Sequence, residues 1–210
     1  VTDNLIEQWS KLDKTRGYED DKHLHKAVCP KLIHQWMDLH TIRLPYFYGI
    51  PKIKPNKPHK MRPIVGSHSW YTTPVAITID AMLQMFVLRV KESCRSSTEY
   101  LHQLKNNADW KNGRYQYITT GDITSLYPNI DHNMGLDCIN RYLTDKINPE
   151  MRGAIVQALA FTLKNNFFIY GDKIFHQQKG TAMGSPVAPS YAILTLSVIE
   201  QAWLLSLIHI

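Results

Sequence analysis

Residues 121–131 run Gly121-Asp122-Ile123-Thr124-Ser125-Leu126-Tyr127-Pro128-Asn129-Ile130-Asp131, and the fold turns on how they are read. The stretch before them, Tyr115-Gln116-Tyr117-Ile118-Thr119-Thr120, is rich in aromatic and β-branched residues and predicts a short buried strand. Asp122 then stands where that strand runs out. A carboxylate in such a place is a metal ligand, a catalytic group or a turn-former bonded to its own backbone. The stretch alone leaves all three open. Asp131, followed by His132-Asn133, reads as a helix N-cap rather than a catalytic partner.

Downstream, helices are expected over about 132–145 and 149–164, with Asn148-Pro149 marking the second start. Asn166-Phe167-Phe168-Ile169-Tyr170, the turn Gly171-Asp172 and Lys173-Ile174-Phe175-His176-Gln177 then predict a two-stranded hairpin. It leads to Gln178-Lys179-Gly180-Thr181-Ala182-Met183-Gly184-Ser185-Pro186-Val187-Ala188-Pro189 and an apolar helix. Small residues here let a flat partner such as a base pair approach the backbone, and a helix start offers free N–H groups to anions. An ordinary Gly/Pro loop is the plainer alternative. The last twenty residues are the most apolar, but Glu200-Gln201 interrupt them, so a buried helix is expected rather than a membrane span.

Upstream, residues 45–69 carry five prolines, which forbid a helix and permit only edge strands. Two extended arms around Pro55-Asn56-Lys57-Pro58 are expected, holding Lys52, Lys54, Lys60 and Arg62 on a projecting basic finger. A long helix is expected over 73–96, with Pro74 in its first turn and an apolar face of Ile77, Met82, Met85, Phe86 and Leu88. A short helix over 97–107 and a turn at Asn112-Gly113 follow. Residues 1–22 read as a lead-in, and 23–40 as an amphipathic helix that Pro30 kinks or starts.

The 210 residues suffice for one domain or two small ones, and 44% apolar with 20% charged residues is ordinary for a soluble globular chain. Three scattered cysteines form no CxxC, so neither a disulfide framework nor a zinc knuckle is indicated, and a reducing compartment is the default. Ten histidines include no HExxH, and His23-x-His25 reads as a surface pair. No leader of the secretory kind opens the sequence as given. The formal charge is +6, and no acid stands between Asp38 and Asp80, a window holding Arg43, Lys52, Lys54, Lys57, Lys60 and Arg62. Such a patch suits a phosphate-rich partner, or is a solvated basic loop.

Three blocks in this order resemble the reverse transcriptase family, nearest its Penelope-like retroelement branch. The finger is similar to that branch's Leu-Pro-Lys-x-His-Lys-Pro … Arg-Pro-Ile-Val wording. Gly121–Asp131 is similar to its Asp-x-x-Ser-Leu-Tyr-x-Asn-Ile block, and Gln178–Pro189 to its Gly-Thr-Ala-Met-Gly-Ser-Pro block. The resemblance covers roughly residues 45–200 and implies an α+β fold, the fingers and partial palm of a right-hand polymerase. Residues 1–44 would be a helical lead-in and 45–210 the polymerase domain.

The implied activity is RNA-directed DNA synthesis on a primed RNA or DNA template with dNTPs, without a membrane, inside the cell and in the nucleus. Asp122, with the Ile123 carbonyl assisting, would be a ligand of two catalytic Mg²⁺ ions and in that way the catalytic residue. Tyr127 would lie under the nucleotide sugar and exclude a 2′-hydroxyl. Lys52 and Arg62, with Lys60, would hold the triphosphate. Thr181 and Gly184, with Ala182 and Met183, would line the nascent base pair. Phosphoryl transfer suits these roles, because it is mostly positioning and charge neutralisation by metal ions, Arg and Lys.

Two departures stand out. Lys54 replaces the family's His in the finger block, and the Tyr-x-Asp-Asp hairpin expected after the Ser-Pro helix is absent. No Asp follows Asp172, and Glu200 is the only acid past Pro186. The expectation is therefore a polymerase fragment lacking that hairpin and the thumb, and inactive alone. A non-catalytic nucleic-acid-binding remnant, or a telomerase or group II intron type of reverse transcriptase, are the alternatives.

Overall fold

Tyr46–Lys52 (β1) and Lys60–Gly66 (β2) pair antiparallel in unbroken register, from Tyr46↔Gly66 to Lys52↔Lys60. The computed structural model describes residues 42–53, 60–90, 93, 94, 96–114, 117 and 120–208. The expected turn with Lys54, the lead-in, the helix over 23–40 and the histidine pair lie outside the described residues. Phe167–Tyr170 (β3) and Lys173–His176 (β4) form the predicted hairpin, with Gly171 at φ 59° in its turn. β3 runs parallel to β1, pinned by the Ile169 N–H donating to the Pro45 carbonyl at 2.8 Å. The result is one mixed sheet in the order β2-β1-β3-β4. Pro63 is tolerated because β2 is an edge strand.

Strand alternation and this register divide the side chains between two faces. Tyr46, Tyr48, Ile50 and Lys52 share one face with Lys60, Arg62 and Ile64. Phe47 points to the other, where its ring lies 5.5 Å from that of Phe168 and 5.3 Å from that of Tyr170.

The core is helical. The helices are Thr73–Val87 (α1), Ser97–Asn106 (α2), Ala108–Lys111 (α3), Leu126–Asn129 (α4), His132–Leu143 (α5), Pro149–Lys164 (α6) and Ala188–Ile208 (α7). Apolar residues at helical spacing meet between α1, α5, α6 and α7: Ile79 and Leu83, Ile139 and Leu143, Ile155 and Leu159, Tyr191 and Leu194 are all essentially fully buried. The starts are capped as their sequences demand. The Asp131 carboxylate accepts from the Met134 N–H at 3.0 Å, and the Asn148 side-chain oxygen from the Met151 N–H at 2.8 Å, ahead of Pro149. Among the described residues no helix is long and apolar enough to cross a membrane.

Three expectations need correction. α1 stops at Val87 rather than 96, and Ile77 and Leu88 are 40% and 57% exposed. The buried stripe runs through Ile79, Met82, Leu83 and Phe86, and Ile77 lies two residues, some 200°, from its start. α5 ends at Leu143 rather than 145, because Thr144 leaves the helix at ψ 137° and Asp145 then takes a left-handed φ of 63°. Of the strand expected over 115–120, Tyr115, Gln116, Ile118 and Thr119 lie outside the described residues. Tyr117 is 87% exposed, and neither it nor Thr120 is in a strand. Strand propensity reports fit to a half-buried pleated surface, and Tyr117 has no such surface around it. Asp122 stands in an exposed segment leading into α4.

Candidate functional site

The loop over 180–185 is where the chain's distant segments meet. Gly180 at φ 76° and Gly184 at φ 123° use backbone conformations that side chains rarely adopt. A Cβ on Gly180 would overlap the Pro128 backbone, and one on Gly184 would overlap the Val65 carbonyl. These close approaches come with hydrogen bonds. On one side, the Gly180 N–H donates to the Ile130 carbonyl at 3.0 Å, and the Thr181 N–H to the Tyr127 carbonyl at 2.9 Å. His132 Nε2 lies 2.7 Å from the Gly180 carbonyl, which can only accept, so that nitrogen carries the proton. On the other side, the Val65 N–H donates to the Met183 carbonyl at 2.8 Å, and Ser67 Oγ to the Gly184 carbonyl at 3.0 Å. Thr73 Oγ1 at the start of α1 donates to the Ser67 carbonyl.

The basic hairpin, the Asp122–Asp131 segment and the 180–185 loop thus form one hydrogen-bonded assembly. Tyr127 is half-buried in α4 and packs on the core, bonded through its carbonyl to the buried Thr181. Gly184 lies against β2. Lys52 and Lys60 face each other across the strand pair, Arg62 lies opposite Ile50, and all three cations are exposed. Asp122 and Ile123 are exposed in the segment before α4. The structure therefore brings Tyr127, Thr181 and Gly184 to one loop and the three cations to one strand face.

Three residues of this assembly escape sequence reasoning. Ser67 carries no local signal of its bond to a carbonyl 117 residues away. His132 is visible only as the neighbour of a helix cap. Asn129 donates from Nδ2 to the Ser125 carbonyl at 3.0 Å. It thereby ties down a turn in which Ser125 holds a left-handed φ of 54°.

Beneath the loop, Ser67, Thr72, Thr73, Thr162, Thr181 and Ser185, together with Ala76, Leu163 and Pro186, help line a small pocket of about 10 Å³. That is room for one water at most, and far too little for a nucleotide. Two buried groups nearby are electrically distinctive. Tyr191 on α7 lies against Gly135 of α5, where a Cβ would overlap its phenol. Its hydroxyl has no hydrogen-bond partner among the described residues, and burial, reinforced by Cys138 and Asp131, pushes its pKa far above the usual phenol value. Burial also raises the Cys138 thiol, with Asp137 adding to the rise and Arg141 opposing it.

Mg²⁺ takes near-octahedral oxygen coordination, usually with several waters retained. Asp122 and the Ile123 carbonyl supply one carboxylate and one neutral oxygen. Among the described residues no group of three His, Cys, Asp or Glu side chains is placed to hold a metal. One carboxylate does not constitute a two-ion site, so these residues do not complete the centre that the family resemblance implies.

Neither a family model nor a curated protein matches this chain.

Proposed function

We propose that this chain is the fingers and part of the palm of a reverse transcriptase, and that it binds a primed nucleic-acid template and the incoming dNTP. The observation that carries this reading is the convergence of two blocks, distant in sequence, on the loop over 180–185 of a third. These are the blocks in which the sequence resembles that family. The mixed α+β architecture agrees with it.

In this reading Lys52, Lys60 and Arg62 neutralise phosphates from the exposed face of β1 and β2. Tyr127 lies beneath the sugar, held at its height by the Thr181 bond. Thr181 and Gly184 line the nascent pair, where a glycine leaves the backbone open to a flat partner. Asp122 is one ligand of the catalytic metal, with further acids required from outside the described residues. Residues 1–210 alone are then expected to bind a primed template and not to extend it. The intracellular, nuclear setting belongs to the same reading.

The test is primer–template binding by fluorescence anisotropy across a salt series. Each neutralised phosphate adds roughly 0.7–0.9 to the log–log salt slope, so three contacts give about 2–3. Lys52→Ala, Lys60→Ala and Arg62→Ala together are expected to flatten that slope and weaken binding. Unchanged affinity in the triple variant rejects the basic-finger assignment. A second reading, a nucleic-acid-binding protein without catalysis, is favoured by the solitary Asp122 carboxylate. Primer extension by the chain joined to an Asp-Asp hairpin and thumb separates the two: extension that is lost on Asp122→Asn rejects the second reading, and template binding without extension rejects the first.

A further inference from the structure

We infer that the exposed face of β1 is a stacking platform for single-stranded nucleic acid, with Tyr46 and Tyr48 each taking a base. The inference rests on the nucleic-acid-binding reading and assigns a role to two side chains that reading leaves idle. Tyr46 is 65% exposed and Tyr48 48% exposed, both unusually open for rings on a strand that is not at the sheet's edge. They are two residues apart, so they project from the same face, with about 6.8 Å between their Cα atoms. Tyr48 does not stand free of support: its ring edge comes within 3.6 Å of where a Gly66 Cβ would be. That is an ordinary packing distance, so the Tyr48 ring lies beside Gly66 of β2. Ile50, 43% exposed, continues the same row toward the hairpin tip.

Charge selects the occupant. Lys52, Lys60 and Arg62 stand on this same face further along the strands, and neither strand carries an acid. An apolar protein surface would match the rings but leave three cations facing it. A single strand matches both, with bases on the rings and phosphates at the cations. Aromatic rings beside a cationic groove are how proteins hold single strands without reading sequence. The order along β1, rings first and cations toward the tip, gives the strand a direction of travel across the hairpin.

The experiment uses residues 1–210 and two labelled twelve-nucleotide probes, oligo-dT and an abasic strand of equal length. The abasic strand keeps the phosphates and removes the bases. Tyr46→Ala with Tyr48→Ala is expected to weaken oligo-dT binding by at least about fivefold per ring. It is expected to leave abasic binding and the salt slope unchanged. Tyr46→Phe with Tyr48→Phe is expected to bind like the parent, since stacking uses the ring and not the hydroxyl. Both rings are exposed, and circular dichroism of each variant checks that the fold persists. Equal loss for both probes, or no loss for oligo-dT, overturns the platform while leaving nucleic-acid binding intact. Failure of the parent chain to bind either probe overturns both readings.

Discussion

At Gly184 a methyl group has nowhere to go. The obstacle is the Val65 carbonyl, a backbone atom held in a strand, and at Gly180 it is the Pro128 backbone. Neither can swing aside as a flexible side chain would, and both glycines already sit at positive φ. Gly180→Ala and Gly184→Ala are each expected to cost roughly 1–3 kcal/mol, seen as a lower urea midpoint. Gly113, also at positive φ but with open space around it, is expected to cost less when changed to Ala. A loss at Gly113 equal to that at Gly184 would mean that the close approach to β2 contributes nothing. Tyr191 makes the opposite prediction at neutral pH. Its buried hydroxyl is unsatisfied among the described residues, so Tyr191→Phe is expected to keep or raise stability. Alkali adds a second readout. The folded-state pKa of Tyr191 lies above 10.0, and that of Cys138 above 9.0, so folding favours their neutral forms. Below about pH 9 that contribution is fully present. As pH rises the unfolded chain loses these protons first, and stability falls until the folded-state pKa values are passed. Urea midpoints measured from about pH 8 to pH 11 are expected to decline, and less steeply in Tyr191→Phe above pH 10. A parallel decline in the two proteins would contradict the burial of that phenol.

Caps and turns make several elements legible in the sequence. Asp131, Asn148-Pro149, Gly171-Asp172 and the proline-rich arms each dictate a local backbone choice, and β3, β4, α6 and the β1–β2 pair follow. Asp131→Ala is accordingly expected to destabilise the protein by about 1 kcal/mol, with Asp131→Asn largely restoring it. Equal instability of the Asn variant would point to charge rather than capping as the cause. Elements whose fate depends on distant partners are not legible in this way. Tyr117 has the composition of a strand residue and stands in solvent. The parallel junction of β1 with β3 spans more than 120 residues of sequence and rests on a single aligned pair, Tyr46↔Ile169. α1 ends nine residues early because periodicity reports a face without reporting how far its neighbours extend. The same limit holds for the candidate site. Its motif residues can be picked out singly, but Ser67, His132 and Asn129 are defined by carbonyls that only folding brings near.

In the whole molecule, stability and exposure are unevenly shared. Most of the large fully buried side chains lie on α1, α5, α6 and α7, whereas α2 and α3 contain no buried residue. Links between the sheet and this core include the 180–185 loop, the Trp70 Nε1 donating to the Asn165 carbonyl at 2.8 Å, His176 Nε2 lying 2.8 Å from the Lys164 carbonyl, and the ring contacts of Trp70 with Phe167 and Tyr71 with Phe161. Local opening should follow that distribution, since amides are released in cooperative units whose cost scales with buried contact. Hydrogen exchange is therefore expected to be slowest in α5, α6 and the buried turns of α1 and α7, intermediate in β1, β2, β3 and β4, and fastest in α2 and α3. A bound single strand covers only the β1 face and adds nothing to the helical core. Saturating oligo-dT is thus expected to slow exchange in β1 and β2, and in the 180–185 loop bonded to β2, while leaving α5 and α6 unchanged. The loop is the discriminating segment. It touches β2 through the Val65 N–H, the residue just past β2 through Ser67 Oγ, and α4 through the Thr181 N–H. If the hairpin and the Tyr127 segment act together, slowing must pass through that loop to residues 126–130. Protection confined to β1 and β2 would mean that the finger binds nucleic acid as an independent arm, and that the convergence of the three segments is structural alone.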